Sequence, residues 1–522
     1  MVLTRYNNKS YRIDDIDFGT KPTDTFECGN EKISFIDYYK KQYNVEIRDR
    51  SQCMLVSRKE IRTSGQREKS EMIIYLVPEL CFMTGLTDKM RSNFSVLKEL
   101  AVYTKLSPFQ RVGAYKQFLV NIEKTPKAKQ VLTDWGLKLE SDPVQVKARL
   151  LPEERIIFGR KKEFGAGDQC DFTRQATSNE LLDIVDFTNW VVIACKTNKT
   201  EADAFEKTIM NVCGPTGVRI TKPKRFEIPN DRNETYVNEV RRVLKADSEI
   251  QIVVVIFPQS RDDRYAAVKR VLCTEIPVPS QCINSRTLKN EAKNRSVVLK
   301  IILQMNCKLG GSLWGVKIPL PNTMICGIDT YHQAGHKGVT VAGFTSTYNP
   351  EFTQYFSRAI LQEKKEELVN GLVSSMESAV NKYRDFNGSN PECVIIYRDG
   401  VGNGQLDFVN DYEIPQFKSA FKRISPDYNP KLTFIIVQKR INTKFFRAAP
   451  NNPNGVVNAP PGSVLDQKVT NRYMYDFYLI SQHVREGSTN PSHYIVLEDE
   501  KGFDPDILQR LTYKLTFMYF NW

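Results

Sequence analysis

Apolar and polar positions alternate with different periods in different parts of the chain. Up to about Met83, short aromatic and β-branched runs are broken by turns at Asn7-Asn8 and Lys21-Pro22, which predicts a small β-rich unit. Its first strand-like stretch begins almost at Met1, so it reads as the later part of a larger unit. From Thr84 to about Phe164 the period becomes helical and the polar positions basic, with Ser92 and Ser107 as candidate caps and Trp135 closing a polar helix. The stretch from Gly159 to Glu180 has no period and is rich in Gly, Ser, Thr and charge. It is expected to be an exposed connection and a domain boundary.

Beyond it, buried-strand runs alternate with amphipathic ones. NWVVIACK (Asn189 to Lys196), a helix from about Ala202 to Cys213, and QIVVVIFP (Gln251 to Pro258) predict a parallel α/β sheet. A second α/β unit begins near Cys307. Its strands are NTMICGID ending at Asp329, GVTVAGFTST at Thr347, YFSRAIL at Leu361, PECVIIYRD at Asp399 and KLTFIIVQK at Lys439. A long amphipathic helix, about Glu363 to Tyr383, separates the third from the fourth. Three strands, then helix, strand, helix, strand, is the order of an RNase H-like core. Internal repeats are absent from the sequence, and one Pro/Asn-rich loop lies around Ala448 to Val457.

A length of 522 residues exceeds one compact core and predicts three or four units. Lys and Arg outnumber Asp and Glu by 74 to 61, a formal charge of +13 that favours a polyanionic partner, nucleic acid first among them. Eleven cysteines without a C-x-x-C pair fit neither a disulfide framework nor a zinc ribbon, and are expected to be reduced and mostly buried. The N-terminus lacks a signal-peptide core and the sequence has no run of 18 apolar residues. The expectation is an intracellular, soluble protein without a membrane partner.

Two carboxylates stand out. Asp329 and Asp399 each close an apolar strand, where burial costs free energy unless a cation or donor meets the charge. Brought together on neighbouring strands, they form a site for a hard divalent ion such as Mg²⁺, and two such ions about 4 Å apart suit phosphodiester hydrolysis. Glu366 and Glu367, at the start of the intervening helix, are both candidates for a third carboxylate.

The chain resembles the Piwi branch of the Argonaute family. The resemblance rests on RYNNKSYRIDDIDF (Arg5 to Phe18), YLVPELCFMTGLT (Tyr75 to Thr87), PVPSQC (Pro277 to Cys282), NCKLGG (Asn306 to Gly311), YRDGVGNGQL (Tyr397 to Leu406) and YDFYLISQ (Tyr475 to Gln482), in order. It implies a multidomain α/β and β chain: a partial PAZ β-barrel over 1–85, a helical linker over 86–175, a Rossmann-like MID domain over 176–306 and an RNase H-like PIWI domain over 307–522. It implies an Asp-Glu-Asp-His catalytic and metal-binding set, of which Asp329, Glu367 and Asp399 match the acids. No histidine here matches the fourth member, which is expected in a segment beyond Trp522, as an N-terminal domain and the first part of PAZ are expected before Met1.

The resemblance also assigns the two ends of a guide RNA. Tyr265, Lys269, Gln281, Gln304 and Lys308 match a 5′-phosphate pocket, expected at a helix N-terminus. Gln304 stands where the Argonaute branch has lysine. Without the resemblance, Tyr265 and Lys269 are an ordinary surface pair on one helical face. Phe26, Tyr38, Tyr39, Tyr43 and Tyr11 match aromatics that hold a 3′-terminal nucleotide, although at least two of the five are expected simply to fill the β core. The glycines of DGVGNGQ, Asp399 to Gln405, read as a tight turn exposing Asp399, since the loop lacks a G-K-[ST] ending.

Two functions from different classes follow from the resemblance. One is a Mg²⁺-dependent endoribonuclease that uses a Piwi-interacting RNA (piRNA) to cut complementary transposon transcripts. The other is a guide-loaded silencing scaffold that does not cut, which the absence of the histidine segment favours. The resemblance places the protein in the cytoplasm, in perinuclear germ granules, or in the nucleus, with Tudor-domain proteins as partners through the expected N-terminal extension.

Overall fold

The computed structural model describes residues 1–29, 31–61, 70–87, 90–91, 93–333, 339–362, 369, 371–452 and 455–520. The chain folds into two compact units, Met1–Lys105 and Leu106–Trp522.

In the first unit, Asp15–Asp17, Met54–Ile61 and Ser70–Leu76 form one antiparallel sheet, and Val2–Thr4 pairs with Ser10–Tyr11 and Cys81–Met83 in another. A hairpin, Thr25–Cys28 with Glu31–Ser34, leads into the helix Phe35–Tyr43. Ser34 caps that helix by accepting the Asp37 N–H, and Asn44 ends it in a left-handed conformation. Phe35, Tyr39, Met54 and Val77 form the core. Asn93, through the Ser95 N–H, caps the helix Phe94–Thr104; Ser92 lies outside the described residues.

The second unit opens with two helices, Pro108–Glu123 and Pro126–Asp134. Ser107 and Gln110 make a capping box on the first, and Trp135 closes the second, both as predicted. The stretch 159–180 is largely exposed, as expected, but it is more ordered than a plain connection. Glu163–Gly165 pairs with Arg155–Ile157, which pairs in turn with Gly315–Val316, and Ala166 and Ala176 are buried in the main core. Its one strand, three residues long, is too short to leave a local period.

Four parallel strands, in the order Lys224–Ile228, Trp190–Cys195, Ile252–Phe257, Ser280–Asn284, form a sheet covered by the helices Lys199–Val212, Asn233–Ala246, Asp262–Arg270 and Glu291–Lys308. Both faces of Trp190–Cys195 and Ile252–Phe257 are buried, hence their unbroken apolar sequence.

The largest sheet has nine strands, ordered Tyr355–Gln362, Thr340–Thr347, Thr323–His332, Cys393–Asp399, Lys431–Gln438, Ser492–Asp499, Asp476–Ile480, Ser463–Leu465 and Arg149–Leu150. Its first five strands follow the predicted RNase H-like order. Val394, Ile396 and Phe434 pack under the helices Leu372–Asn387 and Ile414–Ile424, while Ile395 and Ile435 face the other core, shared with Pro505–Thr516. Among the described residues the intervening helix spans Leu372–Asn387, preceded by Gly371 at φ 72°, a left-handed conformation that glycine tolerates; the expected start of this helix, residues 363–368, lies outside the described residues.

The cysteines are all free among the described residues. Cys195, Cys326 and Cys393 are buried, Cys28 and Cys273 exposed, and the others half-buried, so burial is less complete than expected. Several basic side chains are paired: Arg241 with Glu275, Lys224 with Asp247, and Arg225 with Asp203. Among the described residues, no helix is long and apolar enough to cross a membrane.

Candidate functional site

Two of the three predicted acids meet on the nine-stranded sheet. Ile328 and Arg398 are partners in a parallel register, so Asp329 and Asp399 come next on neighbouring strands and point to the same face. Asp399 ends its strand because Gly400 follows at φ 86°, a conformation glycine adopts without strain. Asp329 departs from expectation: its strand continues to His332, paired with Thr340–Thr347, so the acid is an exposed mid-strand residue rather than a strand end.

Both acids line a cleft of about 630 Å³, together with His332, the Gly400–Asn403 turn, Gln438 and Lys439. The Lys439 ammonium pairs with Asp399, whose side chain retains 19% exposure. The Thr330 N–H donates to Asp329 Oδ1 at 2.8 Å. Side-by-side carboxylates repel, and Lys439 offsets part of that charge; the oxygen-donor set suits a hard divalent cation. Among the described residues no group of three His, Cys, Asp or Glu side chains forms a metal cluster. Glu366 and Glu367 lie outside the described residues, as does His336. Val369, two positions beyond Glu367, is held by its N–H to Glu413 Oε1 and by Gln416 Nε2 to its carbonyl, each at 2.9 Å.

The cleft also takes in residues that the sequence pattern does not assign, among them His332, Gln438, Lys439 and Arg440. The basic pair Lys439-Arg440 after an apolar strand was a visible signal. The others depend on which strands become neighbours, which no local pattern records.

Four of the five residues matched to a 5′-phosphate pocket, Lys269, Gln281, Gln304 and Lys308, are linked by hydrogen bonds around the strand Ser280–Asn284, and Tyr265 stands beside Lys269. Lys269 Nζ donates to Ser280 Oγ at 2.7 Å and to the Ser280 carbonyl at 3.3 Å. Lys308 Nζ donates to the same carbonyl at 2.8 Å and to Gln281 Oε1 at 2.6 Å, and Gln281 Nε2 donates to Gln304 Oε1 at 3.1 Å. Two ammonium groups thus crowd one carbonyl oxygen. Partial burial, and then the Lys269 charge, holds Lys308 below the usual lysine range. Lys269 Nζ lies 5.8 Å from the centre of the Tyr265 ring, which is 50% exposed and open to stacking. Only Tyr265 meets the expectation of a helix N-terminus; both lysines sit in last turns, where the macrodipole favours cations. Arg264, unremarked in the sequence, is fully buried and fixes this helix by donating to Asp231 Oδ2 at 2.7 Å and to the Asp231 carbonyl at 3.0 Å.

In the first unit, Phe26, Tyr38, Tyr39 and Tyr43 form a connected ring cluster that also takes in Tyr6 and Phe35. Tyr39 is a core residue at 3% exposure, its hydroxyl 3.3 Å from that of Tyr6. Burial pushes the Tyr6 phenol up to about 12 and Tyr39 higher still. Phe26 stacks on Phe35 with ring centres 4.6 Å apart. Tyr11, Tyr38 and Tyr43 remain half-buried.

Residues 252–522 match the Piwi domain family and residues 1–107 the PAZ domain family. The chain is 43% identical to Protein argonaute-3 of Drosophila melanogaster over 523 residues and 40% identical to Piwi-like protein 1 of Danio rerio over 524 residues. Each alignment covers all of this chain, but only 59% and 60% of those proteins. The crystal structure of Drosophila Piwi matches with a TM-score of 0.77 and 30% identity, over all of this chain and 68% of that one. The chain belongs to the Piwi subfamily of the Argonaute proteins.

Proposed function

We propose that the chain binds a small guide RNA of the Piwi-interacting class and, through Asp329 and Asp399, cuts an RNA paired with that guide, silencing transposon transcripts. The observation that carries the reading is the adjacent placement of the two aspartates on one face of one cleft. Lys269 and Lys308 hold the guide's 5′ phosphate, Gln281 and Gln304 complete the pocket, and Tyr265 stacks on the first base. Phe26, Tyr38, Tyr43 and Tyr11 receive the 3′ end, with Tyr39 beneath them as core.

Asp329 and Asp399 would hold Mg²⁺, with Glu367 as the third acid on the strength of the family resemblance. The ion supplies charge stabilisation to the phosphoryl oxygens when bound. Lys439 pairs with Asp399 and lines the cleft, where its ammonium can meet a scissile phosphate.

The test loads the full-length protein with a 5′-phosphorylated guide and presents a fully complementary RNA in Mg²⁺. Cutting is expected, with Asp329→Ala or Asp399→Ala abolishing it while the guide stays bound. Retention of guide with an intact target in the wild type would leave a binding scaffold. Failure to retain the guide would overturn the whole reading.

A further inference from the structure

The cleft rests on a buried polar array outside the acids themselves. Gln438, on the strand next to that of Asp399, donates through Nε2 to the Val401 carbonyl at 3.0 Å and to Asn403 Oδ1 at 2.8 Å. Both acceptors belong to the turn that follows Asp399. With its amide nitrogen committed there, Gln438 turns its oxygen to His493 Nδ1, 3.1 Å away. His493 Nε2 lies 2.6 Å from Asp476 Oδ2. Asp476 is 3% exposed, and its other oxygen accepts the Asn471 N–H at 2.7 Å. The Tyr478 ring stacks on the imidazole at 4.2 Å and 9°.

The register explains the row. Gln438 is opposite His493, and His493 is opposite Tyr478, so the three stand side by side on one face across three strands. Asp476, two residues before Tyr478, shares that face. A buried carboxylate beside a histidine is costly unless the network it anchors is complete.

We propose that His493 and Asp476 are positioning residues which act through Gln438 to hold the Val401–Asn403 turn, and hence Asp399, in its place at the cleft. The amide orientation is the working part. Rotating it would set the Gln438 oxygen against the Val401 carbonyl, and His493, held from its far side by Asp476, packs against that oxygen. The catalytic consequence rests on the reading of Asp399 given above; the hold on the turn does not.

The experiment measures amide hydrogen exchange of residues 400–405 in the full-length protein, alongside single-turnover cleavage and guide affinity. Gln438→Glu keeps the shape and an acceptor for His493 but removes the donor to Val401 and Asn403. Exchange in this segment is expected to rise about tenfold, the scale of one lost local hydrogen bond. The cleavage rate should fall while target and guide affinities hold. His493→Gln should accelerate the same segment. Unchanged exchange in Gln438→Glu overturns the proposal. Acceleration in that variant but not in a folded His493→Gln overturns the relay from His493 and Asp476. A wild type that protects the turn yet never cuts refutes the role of Asp399 and leaves the positioning intact.

Discussion

Arg398 and Glu413 form an ion pair from which solvent is wholly excluded, Nη2 to Oε1 at 2.9 Å and Nε to Oε2 at 3.0 Å. Arg398 immediately precedes Asp399, so strand alternation sends it to the opposite face, under the helices, while the acid faces the cleft. Glu413 also accepts the Val369 N–H. One buried carboxylate therefore ties the Asp399 strand to the chain just beyond Glu367.

Removing one member of such a pair leaves the other charge buried and alone. Glu413→Ala is expected to destabilise the second unit by about 3–5 kcal/mol, whereas Arg398→Met combined with Glu413→Leu recovers most of that loss. Denaturant unfolding of the three proteins measures both effects. A loss below about 1 kcal/mol in Glu413→Ala, typical of an exposed pair, would show that the two side chains do not depend on each other.

The order of strands was legible because their burial is. Cys393–Asp399 and Lys431–Gln438 lie between two layers, so their sequences are nearly continuous apolar runs, and the acid marks the point where one emerges. The Asp329 strand runs beyond its apolar pattern because Thr330, Tyr331 and His332 leave the covered region. They stay in the sheet only by pairing with Thr340, Val341 and Ala342, which a pattern of polar residues does not announce. Gln438, His493 and Asp476 lie on three strands from separate parts of the sequence. Their alignment is a product of register, and register between distant strands has no local signature. Lys269 and Lys308 pose the same difficulty: each ends its own helix, and they meet only because both helices pack against Ser280.

The aromatic cluster separates core from contact. Tyr39 is buried and Tyr43 half-buried, so the same truncation should act on different properties. Tyr39→Ala is expected to cost about 3–5 kcal/mol in stability, as large-to-small core replacements do. Tyr43→Ala should leave the melting temperature nearly unchanged and weaken binding of an RNA with a free 3′ end by about 1–3 kcal/mol, the worth of one stacked base. Calorimetric unfolding and RNA titration distinguish the two. Equal destabilisation by both variants would make Tyr43 a core residue and withdraw it from the RNA.

The crowded lysines set a pH dependence whose sign can be derived. Lys308 is held below its unfolded range, so near that lowered value the unfolded chain binds more protons than the folded one. Stability of the guide-free protein should therefore rise with pH as the folded-state Lys308 gives up its proton, and level off above the ordinary lysine range. Guide binding runs the other way. A 5′ phosphate needs both ammonium groups charged, so affinity should fall as pH rises through the lowered Lys308 value, earlier than an unperturbed lysine would allow. A guide ending in a 5′ hydroxyl lacks the dianion and should bind more weakly with a flatter profile. Lys308→Ala should bring the phosphorylated guide close to the hydroxyl one, at a cost of about tenfold or more in affinity. Titrating both guides against wild type and Lys308→Ala from neutral to alkaline pH measures each of these. Parallel profiles for the two guides in the wild type would remove Lys308 from the phosphate.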